Sequence, residues 1–269
     1  GTEAMVPRAA ATKILILYHP YGAGLLRPDG IRPVPDYNGW PDERMEKDFG
    51  RLAALGVDAV LVTVDWKAWV NEIGRRERYE RLLGLVAANP AWPRVFWWVE
   101  AADDVAGQDA ATFVQWAAAL AGGKHGEGFG KIGGRRMIAL SPALERWPAR
   151  HPAFTIRFTH PERGEWTWSH PPTSWCGRAA TMDQAVLRTG TVVQRPTKGV
   201  VRWVFGRSAA ARLREALTAV LEAEEPPKIL CLASWNDYRS GDFIEPTREL
   251  GDAAFKAVRQ IIGKQRGRQ

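Results

Sequence analysis

Only two cysteines occur in 269 residues, too few for the disulfide framework that staples small secreted folds. Cys231 lies in the apolar run Ile229-Leu230-Cys231-Leu232, where it reads as a small buried hydrophobe, and Cys176 falls in a loop-like stretch. No Cys or His spacing offers a ligand set, so neither a metal nor another cofactor is expected. No apolar run approaches the ~20 residues of a membrane-spanning helix. No secretory leader is visible either. A soluble chain is expected, cytoplasmic or exported after processing. Acidic residues are outnumbered, giving a net charge of +7, but the basic residues are dispersed. Only Lys264, Arg266 and Arg268 cluster, so the surplus reads as a solvated surface, with neither nucleic acid nor membrane as partner. A dinucleotide fingerprint is also missing. Tyr21-Gly22-Ala23-Gly24 has two glycines, no third, and no helix directly after it. This counts against the alternative architecture, a doubly wound open sheet. With no repeat, linker or low-complexity block, residues 1–269 read as one domain, with 1–12 and 263–269 as loose ends. The oligomeric state is left open.

What is present is an α/β alternation. The hydrophobic share is 45% and the charged share 25%, ordinary for a globular chain, and a single α/β barrel runs to roughly 250 residues. Short apolar runs at 13–18 (KILILY), 58–65 (DAVLVTVD), 94–100 (RVFWWVE), 135–140 (RRMIAL), 154–159 (FTIRFT), 191–194 and 228–234 (KILCLAS) predict strands. Helices are expected near 41–55, 72–88, 109–121, 207–222 and 250–262. An eighth strand would fall between 166 and 185. Strands that are apolar on both faces, alternating with helices, argue for a buried parallel sheet. The expected fold is therefore a single (β/α)8 TIM-type barrel.

Such barrels carry their sites at the C-terminal ends of the strands, and polar residues gather there. The first strand ends Tyr18-His19, the second Asp65-Trp66, the third Trp97-Trp98-Val99-Glu100 and the last Ser234-Trp235-Asn236-Asp237. The sequence also holds 13 Trp, whose flat faces suit the C–H faces of sugars. Most would fill the core, and Trp66, Trp98, Trp168 and Trp235 are the candidates for lining a cleft. Tyr18, Asp65, Glu100 and Asp237 are expected to face that cleft together.

The segment Trp235-Asn236-Asp237-Tyr238-Arg239-Ser240-Gly241-Asp242-Phe243-Ile244-Glu245-Pro246 resembles the WNEWxEGxxIEP signature of glycoside hydrolase family 99, the endo-α-mannosidases, and of the WbsX-like proteins beside them. Three further stretches are similar in the same order: Tyr18-His19-Pro20-Tyr21, Leu55-Gly56-Val57-Asp58-Ala59-Val60, and the run from Gly133 to Pro142. The resemblance implies a barrel that cleaves α-linked sugars with retention, using carboxylates after the last strand and an oligosaccharide or polysaccharide as ligand. Of the family's two key glutamates, three residues apart, the first matches Asp237 and the second Ser240. Serine cannot act as a carboxylic acid. Asn236 and Glu245 match positions that shape the loop.

Glycoside cleavage needs one group to protonate the leaving oxygen and a second carboxylate as base or nucleophile. Asp237 is the candidate for one role. For the other, the candidates are Glu100, Asp65, Asp242 and Glu245; Glu100 is favoured over Asp242 because a strand end positions a group better than a loop does, and its neighbours Trp97 and Trp98 would desolvate it and raise its pKa. His19, Asp65, Trp66, Trp98, Trp168, Trp235, Asn236, Ser240, Glu245 and Tyr18 are the candidate substrate contacts. The alternative is a barrel that binds glycans without turnover.

Overall fold

The structure is a computed structural model. It describes residues 12–20, 39–101, 111–141, 144, 151–158, 176–178, 184–188, 192–197, 200–205, 209–224, 226–227, 229–238 and 242–267. In chain order the elements are β1 (Lys13–Tyr18), α1 (Asp42–Leu55), β2 (Ala59–Asp65), α2 (Trp66–Asn71), α3 (Ile73–Ala88), β3 (Arg94–Glu100), α4 (Ala111–Gly122), β4 (Lys131–Ile132), β5 (Arg135–Leu140), β6 (Phe154–Phe158) and β7 (Cys176–Arg178). There follow β8 (Gln184–Arg188), β9 (Val192–Thr197), β10 (Val200–Phe205), α5 (Ala209–Leu221), β11 (Ile229–Ala233), β12 (Asn236–Asp237), β13 (Asp242–Phe243) and α6 (Ala253–Gly267).

The sheet is built in the order β6-β5-β3-β2-β1-β11-β8, and every one of these neighbours pairs in parallel. This is the strand order of an α/β barrel, in which the first and last strands meet: β1 lies between β2 and β11. Pairing between β6 and β8 is not seen among the described residues. The expected strand at 191–194 belongs elsewhere. It is part of β9, which forms a separate antiparallel hairpin with β10, and β8 takes the place beside β11. Two short antiparallel strands are added: β4 pairs with the start of β5, and β7 extends the sheet beyond β8. The last helix continues to Gly267, beyond the expected end at 262.

Two apolar layers result from strand alternation. Ile14, Ile16, Tyr18, Val60, Val62, Val64, Val95, Trp97 and Val99 point outward and pack beneath the helices in the larger core. Leu15, Ala59, Leu61, Phe96, Trp98, Met137, Ala139 and Cys231 point inward and fill the barrel. Burial pushes the Cys231 thiol well up, and it is a free cysteine. α1 shows how the outer layer is sealed. Asp42 and Glu43 favour its positive N-terminal end, and Gly56, at φ 89°, closes it in the left-handed conformation with its N–H on the Leu52 and Ala53 carbonyls. Its buried face holds Met45, Phe49, Leu52 and Leu55, and also two charged residues, Arg44 and Asp48. No helix among the described residues is long and apolar enough to cross a membrane.

Candidate active site

The same alternation decides which strand-end residues reach the barrel mouth. On β2, Thr63 and Asp65 continue the inward row begun by Ala59 and Leu61; on β3, Glu100 continues the row of Phe96 and Trp98. Register sets Thr63 opposite Trp98 and Asp65 opposite Glu100. His19 follows β1 in the inward row of Leu15 and Leu17.

Two of these residues, His19 and Glu100, lie near enough to Asp237 to feel its charge. His19 is 8% exposed, and its Nδ1 lies 3.2 Å from the Thr63 hydroxyl oxygen. Burial lowers its imidazole below the ordinary value, and the nearby Asp237 charge works against that lowering. Glu100 is reachable by solvent at the strand end but packed by protein on its other sides. Its carboxyl is pushed up to about 7, first by burial, then by the charges of Asp237 and Asp65. Asp65 also caps α2, its Oδ1 accepting the Ala68 N–H at 2.7 Å.

Asp237 is half-buried and stands in the hairpin of β12 and β13. Its N–H donates to the Ser234 hydroxyl at 2.7 Å, and that hydroxyl donates to the Asp242 carbonyl at 2.6 Å. Asn236, wholly buried, ties the hairpin to β1. It accepts the His19 N–H on Oδ1 and donates from Nδ2 to the His19 carbonyl, both at 2.8 Å. Asn236 thus acts on the backbone of its neighbours, as a loop-shaping residue does.

Four other expected contacts lie away from the mouth. Tyr18 faces the helices, and its hydroxyl donates to Asp48 at 2.7 Å. Trp66 stacks on Trp69 with ring centroids 5.6 Å apart, in the layer beneath the helices. Trp235 is 0% exposed and meets Phe255 of α6 edge-on. Glu245 is buried, ion-paired with Arg44, and accepts the Tyr238 hydroxyl at 2.8 Å. The physical reason is one of phase: each sits on an outward-facing position or beyond the barrel wall. Of the three candidate tryptophans among the described residues, only Trp98 belongs to the inner layer; Trp168 and Ser240 lie outside the described residues. Three residues join the account from the structure alone: Thr63, Arg44 and Asp48. Thr63 was legible as the inward position two before Asp65. Arg44 and Asp48 were legible as a charged i, i+4 pair on the face of α1 shared with Met45 and Phe49.

Chemically, the mouth offers a carboxyl raised to about 7 and a second carboxylate whose charge acts on it, above a floor that includes the buried Trp98. Among the described residues no group of three or more His, Cys, Asp or Glu could hold a metal ion.

Two solved structures illustrate the likeness in shape. Both are structures of the GH99 endo-alpha-mannosidase from Bacteroides thetaiotaomicron, one in complex with BIS-TRIS-propane. They align over 94% of this chain and over 98% and 97% of theirs, with TM-scores of 0.61 and 0.62 and sequence identities of 14% and 12%. The chain shares the endo-α-mannosidase fold. No family model and no curated protein sequence matches it, and at these identities the likeness speaks to the fold.

Proposed function

We propose that this chain acts on a glycan as a glycoside hydrolase, with its site at the C-terminal ends of the barrel strands. The observation that carries the reading is the convergence of Asp65, Glu100 and Asp237, with the Glu100 carboxyl raised to about 7. An acid catalyst for glycoside cleavage must keep its proton at working pH and release it to the leaving oxygen, which an ordinary carboxyl cannot do near neutrality. Glu100 takes that role. Asp237 takes the second, as the carboxylate that stabilises positive charge at the sugar or activates the attacking group. The overall similarity to the endo-α-mannosidase structures favours an oligosaccharide ligand.

One feature favours a second reading, glycan binding without turnover: Ser240 stands where the resembling family has its second acid. A glycan array combined with a hydrolysis screen separates the two. Turnover that falls by ~10²–10⁴-fold in Glu100→Gln and in Asp237→Asn supports the enzyme. Binding without turnover supports the second reading. Full activity in both variants refutes the assignment of these carboxylates.

A further inference from the structure

Behind the barrel wall lies a second polar cluster. Arg44 and Asp48 project from α1, with side chains 2% and 0% exposed, and pair at 2.8 Å. Arg44 also pairs with the fully buried Glu245. The Asp48 carboxylate accepts the Tyr18 hydroxyl at 2.7 Å, and that hydroxyl accepts the Trp40 indole N–H at 2.8 Å. Glu245 accepts the hydroxyl of Tyr238, the residue directly after Asp237.

Burying ions is costly, and apolar side chains of the same shape often stabilise a fold as well or better. A buried ion cluster therefore calls for a reason other than stability, and its connections supply one. Tyr238 stacks on Phe243 with centroids 4.5 Å apart, so the ring is fixed from one side and the hydroxyl from the other. The Glu245 N–H is held by the Trp235 carbonyl at 2.9 Å, which anchors the far end of the hairpin. At the opposite end of the cluster, Tyr18 precedes His19, whose backbone is clamped by Asn236. One continuous set of bonds thus joins β1, α1 and the hairpin of β12 and β13.

We propose that the Arg44–Glu245 ion pair, acting through the Tyr238 hydroxyl, is a positioning device that sets where Asp237 stands in the barrel mouth. The inference rests on the reading of Asp237 and Glu100 as the working carboxylates. Arg44, Glu245 and Tyr238 are positioning residues; none meets the ligand.

The test reads Asp237 through its neighbour. The charged groups facing Glu100 are Asp65 from β2 and Asp237 from the hairpin, with His19 of β1 beside Asp237. The Glu100 carboxyl is titrated by carbon-13 NMR in the full chain, for the wild type, Asp237→Asn, Tyr238→Phe and Glu245→Gln. The wild-type midpoint is expected at about 7, and Asp237→Asn should lower it. Tyr238→Phe, which keeps the stacked ring and removes one hydroxyl, should lower it by at least half of that shift, and Glu245→Gln should do likewise. If Glu245→Gln does not fold, Tyr238→Phe decides alone. A purely structural role would lower the melting temperature and leave the midpoint in place, which would overturn the proposal. An unmoved midpoint in Asp237→Asn would overturn the functional reading itself, and the inference with it.

Discussion

Glu100→Gln should flatten part of the stability–pH curve. An ordinary glutamate here would lose its proton at 4.5, but the fold raises that value to about 7. Between these two values the folded chain holds a proton that the unfolded chain has released. The contribution of Glu100 to stability is therefore fully present below 4.5, declines as pH rises through the window, and is gone above about 7. Unscreened, a rise from 4.5 to about 7 would correspond to roughly 3 kcal/mol. Glu100 reaches solvent, however, and screening reduces the effect to about 1 kcal/mol. Glutamine has no proton to lose, so the variant lacks this slope. Urea unfolding at about pH 5 and about pH 8, at equal ionic strength, measures it for both proteins. The wild type is expected to lose about 1 kcal/mol more than the variant between the two conditions. Asp48 is also raised by burial, but it is present in both proteins and cancels in the comparison. Equal losses in the two proteins would refute the reasoning.

Four substitutions extend the test. Asp65→Ala removes the cap on α2 and should cost ~1 kcal/mol in urea unfolding; it should also lower the Glu100 midpoint, since Asp65 helps to raise it. Trp235→Ala empties a fully buried site and should cost ~3–5 kcal/mol, while the fraction that remains folded keeps its affinity for any glycan that the array identifies. Gly130→Ala would set a Cβ 2.6 Å from the Phe96 ring inside the barrel, and the forced repacking should cost ~1–3 kcal/mol by thermal unfolding. Thr63→Val takes the hydroxyl from the buried Nδ1 of His19 and should cost ~1–3 kcal/mol; no loss would show that the contact contributes nothing.

The strands were easier to read than their phase. β1, β3 and β5 match the expected bounds because each is a compact apolar run flanked by polar residues. β8 went unread because QAVLR is short and bounded by charge, and β9 was cut short because Pro196 interrupts its pattern. α2 has only six residues, too few to show periodicity, and its signal is the Asp65 cap. The mouth was partly legible for the same reason that it was partly misread. Buried parallel strands are apolar on both faces, so composition does not say which residues point inward. Tyr18 and Trp235 share strand ends with His19 and Asp237, yet one residue of offset sends them to the other side of the wall. Leu15, Leu17 and His19 lie on one alternation, and Ile14, Ile16 and Tyr18 on the other. Only the pairing of strands shows which row is inner.

That division changes how the most suggestive segment should be read. From Trp235 to Glu245, the described residues Trp235, Asn236, Tyr238, Asp242, Phe243, Ile244 and Glu245 are all buried and serve the hairpin, the ion cluster or the packing against α6. Asp237, half-buried, is the one described member whose charge acts in the mouth. A segment of this kind reports chiefly that the scaffold of the last strand is kept, which agrees with the shared fold at low identity. It says much less about catalysis, because one exposed position can change while the buried ones stay. On the proposed reading, turnover of a glycan depends on Glu100, which lies outside the segment on a different strand. If Glu100 is the acid, activity must fall as pH rises through about 7, when its proton is lost. Hydrolysis screens run only at alkaline pH would miss it. Measured from about pH 5 upward, the basic limb of the rate profile should disappear in Glu100→Gln together with the rate, and a limb that persists would assign the proton to another group.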